Sequence, residues 1–292
     1  MREKLLLDML TYRRPSDSKT ERHWVRSFIA TVPGMKRDSY GNCYMVIGDN
    51  PTTMISCHTD TVHNTGGRQK TTLVNGIVSL ANSSREKKRN CLGADDGAGV
   101  FVALEMIRAE VPALYVFHRS EEVGGKGSDY ISTRTPELVS GIERCIAFDR
   151  RGRHDLITHQ MFGRCCSEQF AERFAELLDM DHISASGTFT DSANYTDLIG
   201  ECTNISVGYE SEHSVNETLD LNYLDELIDR LRVIDLDSLP SVRLPGESDP
   251  EEFDFGWSGS NTSLLLEDAL VEMTDEEYDR YQNDLIDKGF VF

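Results

Sequence analysis

Apolar residues in this chain fall into two kinds of pattern, which alternate along its length. Leu5, Leu6 and Met9, then Trp24, Phe28 and Ile29, recur at helical spacing, so residues 1 to about 31 are predicted to be helical. The turn-like Asp38-Ser-Tyr-Gly41-Asn42 precedes an apolar run over 43–47, and a second run over 53–57 reads as a buried strand that delivers His58. Residues 71–80 carry Asn75-Gly76 between two β-rich runs and predict a hairpin. From Gly93 to about residue 110 the pattern turns helical, with Val100, Leu104 and Ile107 on one face. A strand is predicted over 113–117, a helix from 124 to 131, and a strand over 145–148 that ends at Asp149. Helix over 170–178, strand over 205–207 and helix over 221–234 complete the series. Strands that alternate with helices predict an α/β fold with layered helices and sheet.

Composition changes near Asp235, where Asp, Glu, Ser, Pro and Gly become frequent up to Trp257. The expected division is a catalytic domain over 1–236, then an acidic linker and C-terminal helical segment over 237–292. In that last part Thr274 with Glu277 fits a capping box, and Tyr278, Tyr281 and Leu285 share a helical face. The basic Arg85-Glu-Lys-Lys-Arg89 reads as a solvated loop.

At 292 residues the chain is long enough to bury a full core. Its formal net charge of -20 argues against nucleic-acid backbones and anionic membrane surfaces as partners. Seven scattered cysteines without a CxxC pair, two of them (Cys57 and Cys145) in apolar runs, read as reduced packing thiols of a cytoplasmic protein. The opening MREKLLLDML is too short in its apolar part for a signal peptide, and no run reaches transmembrane length.

The candidate chemistry lies in dispersed acids and histidines: His58-Thr-Asp60, Asp95-Asp96, Glu121-Glu122, Asp149 and His213. Each sits at the end of a strand-like run or beside glycines. Each alone has a commonplace structural explanation, such as a helix N-cap for Asp95 or Asp96. Together they offer more. Asp60 would project to the same face as His58 and could hold its second ring nitrogen. A carboxylate in Gly93-Ala-Asp-Asp-Gly-Ala-Gly99 can bridge two cations. Of Glu121 and Glu122, one can bind metal while the other faces water as general base. His58, Asp95, Glu122, Asp149 and His213 would then divide between two divalent ions, with Zn²⁺ favoured and Mn²⁺ or Co²⁺ as alternatives. Gly124-Gly-Lys-Gly127-Ser lacks the Walker spacing, which sets nucleotide binding aside.

These motifs resemble the co-catalytic dinuclear zinc exopeptidases, the clan that contains the M20, M28 and M42 peptidase families. The matching phrases are Ser56-Cys-His-Thr-Asp60, Gly93 to Gly99, Glu121-Glu-Val-Gly124 with Gly127, Phe148-Asp149, and Ser206 to Glu217 with His213. Asp38 with Gly41-Asn42 and Thr190-Asp191-Ser-Ala-Asn194 also look like segments of that clan. The phrases span about residues 38–217. The resemblance implies a three-layer sandwich with a central mixed β-sheet between helices. It implies His58 and Asp149 on one ion, Glu122 and His213 on the other, Asp95 bridging, Asp60 orienting His58, and Glu121 as general base. Asp191 matches a recurrent position near the site.

Two departures stand out. Gly97 replaces a lysine common in M20 members. The interval from Asp149 to His213 is short, expected to hold one helix and loops, and leaves no M20-type lid. The oxyanion-stabilising group must then come from elsewhere, with Tyr195, Tyr209 and Arg150 as candidates. The expected activity is hydrolysis of an amide, foremost by an aminopeptidase acting on short peptides. A carboxypeptidase or N-acyl amino acid deacylase is the nearest alternative, with Arg150, Arg151 and Arg153 to receive a substrate carboxylate. A non-catalytic binding protein that keeps the fold is the alternative of another class. Oligomeric state is not legible.

Overall fold

Alternation within the central strands sets the layering. The computed structural model describes residues 2–85, 90–160 and 163–247. Helix α1 (Arg2–Met9) leads through β1 (Tyr12–Arg13) to α2 (Lys19–Trp24), which continues as a wider helical turn over Val25–Ile29. The single helical region expected up to residue 31 is therefore two pieces. Pro15 disfavours helix at the residue before it, Asp17 adopts a φ of 59°, and Tyr12 pairs with Arg68 in extended form.

Strands β2 (Lys36–Arg37), β3 (Cys43–Ile47), β4 (Thr53–His58), β5 (Gly67–Arg68), β6 (Thr71–Val74) and β7 (Ile77–Leu80) follow, then α3 (Asn82–Arg85) and the long α4 (Ala94–Arg108). Next come β8 (Ala113–His118), α5 (Lys126–Arg134), β9 (Arg144–Arg150), β10 (Asp155–Gln160), β11 (Gly163–Arg164) and α6 (Glu168–Leu178). The described chain ends with β12 (Ile183–Ser186), β13 (Glu201–Ser206), β14 (Tyr209–Glu210), β15 (Thr218–Asp220), α7 (Leu221–Leu231) and an irregular stretch.

Among the described residues nine strands form one mixed sheet, in the order β11-β10-β13-β9-β4-β8-β3-β2, with β12 also paired to β10. The four central strands β13, β9, β4 and β8 are parallel. Ile55, Cys57, Tyr115, Phe117, Ile146 and Phe148 enter one buried cluster with Leu6, Phe101, Phe174 and Leu227 from the helices. Their neighbours Met54, Leu114, Val116 and Cys145 enter another with Ile131 and Tyr195. The period of two sends successive side chains to opposite faces, and burial on both faces explains the unbroken apolar runs. The result is the expected three-layer arrangement of a mixed sheet between helices. Of the smaller sheet β14-β15-β7-β6, the expected hairpin forms β6 and β7. Asn75 and Gly76 have φ of 51° and 81°, the positive pair that a two-residue hairpin turn requires.

The interval between Asp149 and His213 differs from expectation. Beside α6 and the strand expected over 205–207, which is β13, it adds β10, β11 and β12 to the main sheet. β12 is largely exposed at the sheet margin, so its sequence carries no apolar run. Residues 237–247 remain attached to β13: Leu239 is buried, and Glu201 accepts hydrogen bonds from Val242 N at 2.7 Å and Arg243 N at 3.0 Å. The helix expected around Thr274 and Glu277, and residues 86–89 of the basic stretch, lie outside the described residues.

All seven cysteines are unbridged and buried. Burial holds the Cys57, Cys91 and Cys202 thiols well above the ordinary thiol range and pushes Cys43 up to about 11. Among the described residues no helix is long and apolar enough to cross a membrane.

Helix α4 lies so close to β9 that a Cβ on Gly99 would stand 2.1 Å from the Phe148 carbonyl oxygen, which is backbone and cannot rotate away. Gly99→Ala is expected to destabilise the protein by about 1–3 kcal/mol, the usual cost of overpacking a tight contact, read as a lowered urea midpoint.

Candidate active site

The parallel strands β4, β8 and β9 finish at one edge of the sheet, the edge at which open α/β sheets present ligands. His58 is the last residue of β4, Asp149 lies at the end of β9, and Glu121 and Glu122 follow β8. Asp95 and Asp96 open α4 with non-helical backbone, and the peptide between them is cis. His213 lies between β14 and β15.

These separate segments converge. His58 Nε2 is 3.0 Å from Asp95 Oδ1, 3.4 Å from Asp149 Oδ1 and 4.0 Å from Glu121 Oε2. His213 Nε2 is 3.1 Å from both Asp95 Oδ2 and Glu122 Oε2. Two groups result, His58–Asp95–Asp149 and Asp95–Glu122–His213, with ligand atoms within 4.8 Å of one another in each. Asp95 belongs to both and turns one oxygen to each. Asp60 Oδ1 lies 3.6 Å from His58 Nδ1 and accepts the Glu121 backbone N–H at 3.0 Å. Asp96 faces away from the groups: its two oxygens accept His58 N at 3.0 Å and Gly99 N at 2.9 Å. It is thus a helix cap that also fixes the His58 backbone.

The electrostatics of this cluster are those of an acid-rich pocket with too little positive charge. Burial pushes the Glu121 carboxyl well above the usual range, against the pull of His58 and with the push of Asp149 and Glu122. Burial and Asp95 raise Glu122 to about 7, and burial raises Asp149 despite His58. Asp95 goes the other way: burial would raise it, but His213 and His58 bring it below the usual range. Asp95 and Glu122 hold His213 up to about 11. For His58, burial would lower the value, yet Asp149, Asp60 and Asp95 lift it well above the ordinary imidazole range. Glu122 Oε1, His58 Nδ1 and Asp60 Oδ2 are buried without a hydrogen-bond partner. Carboxylates that strain towards protonation around inward-facing imidazoles fit divalent cations, whose charge reverses these shifts. His58, Asp95 and Asp149 could hold one ion, and Asp95, Glu122 and His213 a second.

Several groups support these residues, and of them Arg14 was not identified from the sequence. Thr190 Oγ1 donates to Asp149 Oδ2 at 2.7 Å, and Tyr209 Oη donates to Asp149 Oδ1 at 3.2 Å. Arg14, fully buried, donates to Thr59 O at 3.0 Å and Gly93 O at 3.1 Å and stacks over Trp24. Nothing in the local pattern marks it, because its partners are backbone atoms far along the chain. Asp191 lies behind the site, accepting from Ser128 Oγ at 2.5 Å and standing 3.3 Å from His118 Nδ1. The three groups considered for oxyanion stabilisation have other partners. Tyr195 Oη is buried at 2.8 Å from His118 Nε2, Arg150 pairs with Asp155 at 2.8 Å, and Tyr209 holds Asp149.

His63 completes the buried scaffold beneath this loop. The Cys91 carbonyl can only accept, so the proton of the neutral ring sits on Nε2 and Nδ1 accepts from Thr61 Oγ1 at 2.6 Å. The assigned tautomer then donates from Nε2 to Cys91 O at 3.0 Å. Burial, followed by the Arg14 charge, lowers the His63 pKa from 6.5 to about 3. The unfolded chain therefore takes up a proton that the folded chain refuses. The stability His63 contributes is complete above pH 6.5 and is lost as the pH falls towards 3. Between about pH 7.5 and 5 the loss is about 2 kcal/mol. His63→Gln should flatten the pH dependence of urea-unfolding stability over that window by a similar amount; an unchanged slope would contradict the assignment.

A cation that binds the folded acid cluster stabilises the fold. At a free ion concentration about 100-fold above its dissociation constant, one bound ion stabilises by about 2.7 kcal/mol, a rise of roughly 5–10 °C in thermal midpoint for a unit of this size. Identical midpoints in EDTA and in Zn²⁺, Mn²⁺ or Co²⁺ would remove the cation reading.

No protein-family model and no curated protein sequence matches the chain. Solved structures do. An aminopeptidase PepT from Bacillus cereus is similar with a TM-score of 0.62 at 13% identity, over 79% of this chain and 96% of the other. A tripeptidase from Staphylococcus aureus gives 0.63 at 14%, over 80% and 96%. The TET1 peptidase of Pyrococcus horikoshii, described as assembling into a tetrahedron or a large octahedral shell, gives 0.55 at 16%, over 80% and 98%. These likenesses show that the chain has the α/β fold of the zinc exopeptidases, the group its motifs resemble.

Proposed function

We propose that the chain is a metal-dependent amide hydrolase, an aminopeptidase that releases residues from short peptides. The observation that carries this reading is the pair of histidine–carboxylate groups sharing Asp95, with the Glu121 carboxyl 4.0 Å from His58 Nε2. In this reading two divalent ions, Zn²⁺ foremost with Mn²⁺ or Co²⁺ as alternatives, occupy the two groups. When bound they would lower the pKa of a water molecule and polarise the scissile carbonyl. The rest of the task falls to side chains. Glu121, held at its backbone by Asp60, takes the proton of the attacking water and passes it to the leaving amine. Asp60 also keeps the imidazole of His58 in one orientation. Thr190 and Tyr209 hold Asp149 in place.

The preference for a free amine over a free carboxylate rests on charge. The cluster is rich in acids, which suits an ammonium group. The arginines that would receive a substrate carboxylate are engaged: Arg150 with Asp155, Arg151 with Glu212 at 2.9 Å, and Arg153 with Asp220. A carboxypeptidase or N-acyl amino acid deacylase would have to break such a pair. The buried, unbridged thiols suit a reducing, cytoplasmic setting.

Glu121→Gln is expected to reduce peptide hydrolysis by roughly 100- to 10,000-fold, the range of a general base, with bound cation unchanged by elemental analysis. Unchanged turnover would remove Glu121 from that role. Release from N-acyl amino acids but not from dipeptides or aminoacyl-anilides would replace the aminopeptidase reading with the deacylase one. A cation-free protein without turnover would favour the non-catalytic alternative.

A further inference from the structure

Glu217 is fully buried and takes no part in the chemistry above, yet it stands where two loops of the site meet. Its Oε1 accepts hydrogen bonds from Ala94 N at 2.7 Å and Asp95 N at 3.1 Å, and its Oε2 accepts Gly93 N at 2.9 Å. One carboxylate thus gathers the backbone that presents Asp95. Arg14 Nη2 holds the same loop through Gly93 O at 3.1 Å.

The other end of this tie leads to His213. Glu217 N donates to Ser214 O at 3.2 Å, Ser214 Oγ donates to Ser211 O at 2.7 Å, and Asn216 N donates to Ser214 Oγ at 3.1 Å. Residues 211–217 therefore form a closed turn around the histidine. His213 has a φ of 59° and Ser211 a φ of 56°. Non-glycine residues keep that left-handed backbone only where their surroundings over-determine it. The turn, anchored by Glu217, supplies that restraint. It carries His213 Nε2 to 3.1 Å from Asp95 Oδ2, on a loop otherwise remote in sequence from Asp95.

The other half of the site has its own tie. His58 N is bound to Asp96 Oδ2 at 3.0 Å, and Gly99 N to Asp96 Oδ1 at 2.9 Å. His58 and α4 are thereby fixed to each other without Glu217.

We propose that Glu217 is the positioning residue of the second cation group. It sets His213 against Asp95, and its loss would loosen Asp95–Glu122–His213 while His58–Asp95–Asp149 keeps its ion. This rests on the two-cation reading of the preceding section. Supporting groups behind metal ligands typically change affinity by about 10- to 100-fold, which sets the effect to look for.

The test is Co²⁺ titration followed by visible absorption, with stoichiometry by elemental analysis after dialysis, on wild type, Glu217→Ala and Glu217→Gln. Circular dichroism reports folding. Wild type should bind two ions. Glu217→Ala should keep one and bind the second about 10- to 100-fold more weakly. Glu217→Gln, which keeps one oxygen for Ala94 N and Asp95 N but turns an NH₂ towards Gly93 N, should fall between them. Fewer than two ions on wild type would overturn both the two-cation reading and this inference. Two ions on both wild type and Glu217→Ala with equal affinity would overturn the inference alone. Loss of both ions from a folded Glu217→Ala would also overturn it, since the selectivity would be gone. If Glu217→Ala fails to fold, Glu217→Gln decides by the same criterion: wild-type affinity for the second ion overturns the inference, and a weakened second ion upholds it.

Discussion

A carboxylate taken out of water needs a positive partner, and this fold gathers five carboxylates, Asp60, Asp95, Glu121, Glu122 and Asp149, around two imidazoles. The penalty for a buried ion without compensation is several kcal/mol. Burial of one leucine or phenylalanine stabilises by about 1.5–3 kcal/mol. A cluster of this kind therefore outweighs several core side chains, and it can exist only on a large, independently stable frame. The two apolar clusters on opposite faces of the sheet are that frame. The acids sit at its rim, where strands end and the core is already complete.

The rim is also where precision is hardest to obtain, because loops carry the groups. The solution here is to bind loop backbone with buried polar side chains from distant segments. Arg14 reaches Thr59 and Gly93, and Glu21 accepts from Thr59 and Arg119. Asn42 contacts the Arg119 backbone. The ties from Arg14 and Asn42 replace water at backbone groups, and Glu21 joins the Thr59 hydroxyl to the Arg119 guanidinium. The N-terminal segment, which carries none of the candidate ligands, thus becomes part of the support for strand ends β4 and β8.

What could be read from the sequence was local or strongly periodic. The runs that became β4, β8 and β9 stood out because burial on both faces keeps them largely apolar. The site residues stood out because each follows such a run or sits among glycines. Asp60 lies 3.6 Å from the His58 ring, on the side that their spacing of two suggested. The misses have a common physical cause. The break after Met9 depends on a pairing with Arg68, and β12 is fixed mainly by β10, so neither is encoded in its own pattern. Arg14 and Glu217 look like surface charges in the sequence, because what marks them is the backbone they hold. Tyr195, Tyr209 and Arg150 have suitable chemistry, but their partners engage them elsewhere.

The burial of every cysteine has a consequence for how motion in this protein can be seen. A thiol must lose its proton and meet its reagent before it can be alkylated. Packing in the core keeps the reagent away from all seven, and at Cys43, Cys57, Cys91, Cys166 and Cys202 the thiol is also held above its ordinary range. Modification then requires the surrounding structure to open, and its rate reports the free energy of that opening. Cys43, Cys57, Cys145 and Cys202 lie on four strands of the main sheet, Cys91 beside the loop of Asp95, and Cys165 and Cys166 before α6. The chain therefore carries its own set of labels, spread across the sheet and beside the site, for mapping which parts breathe first.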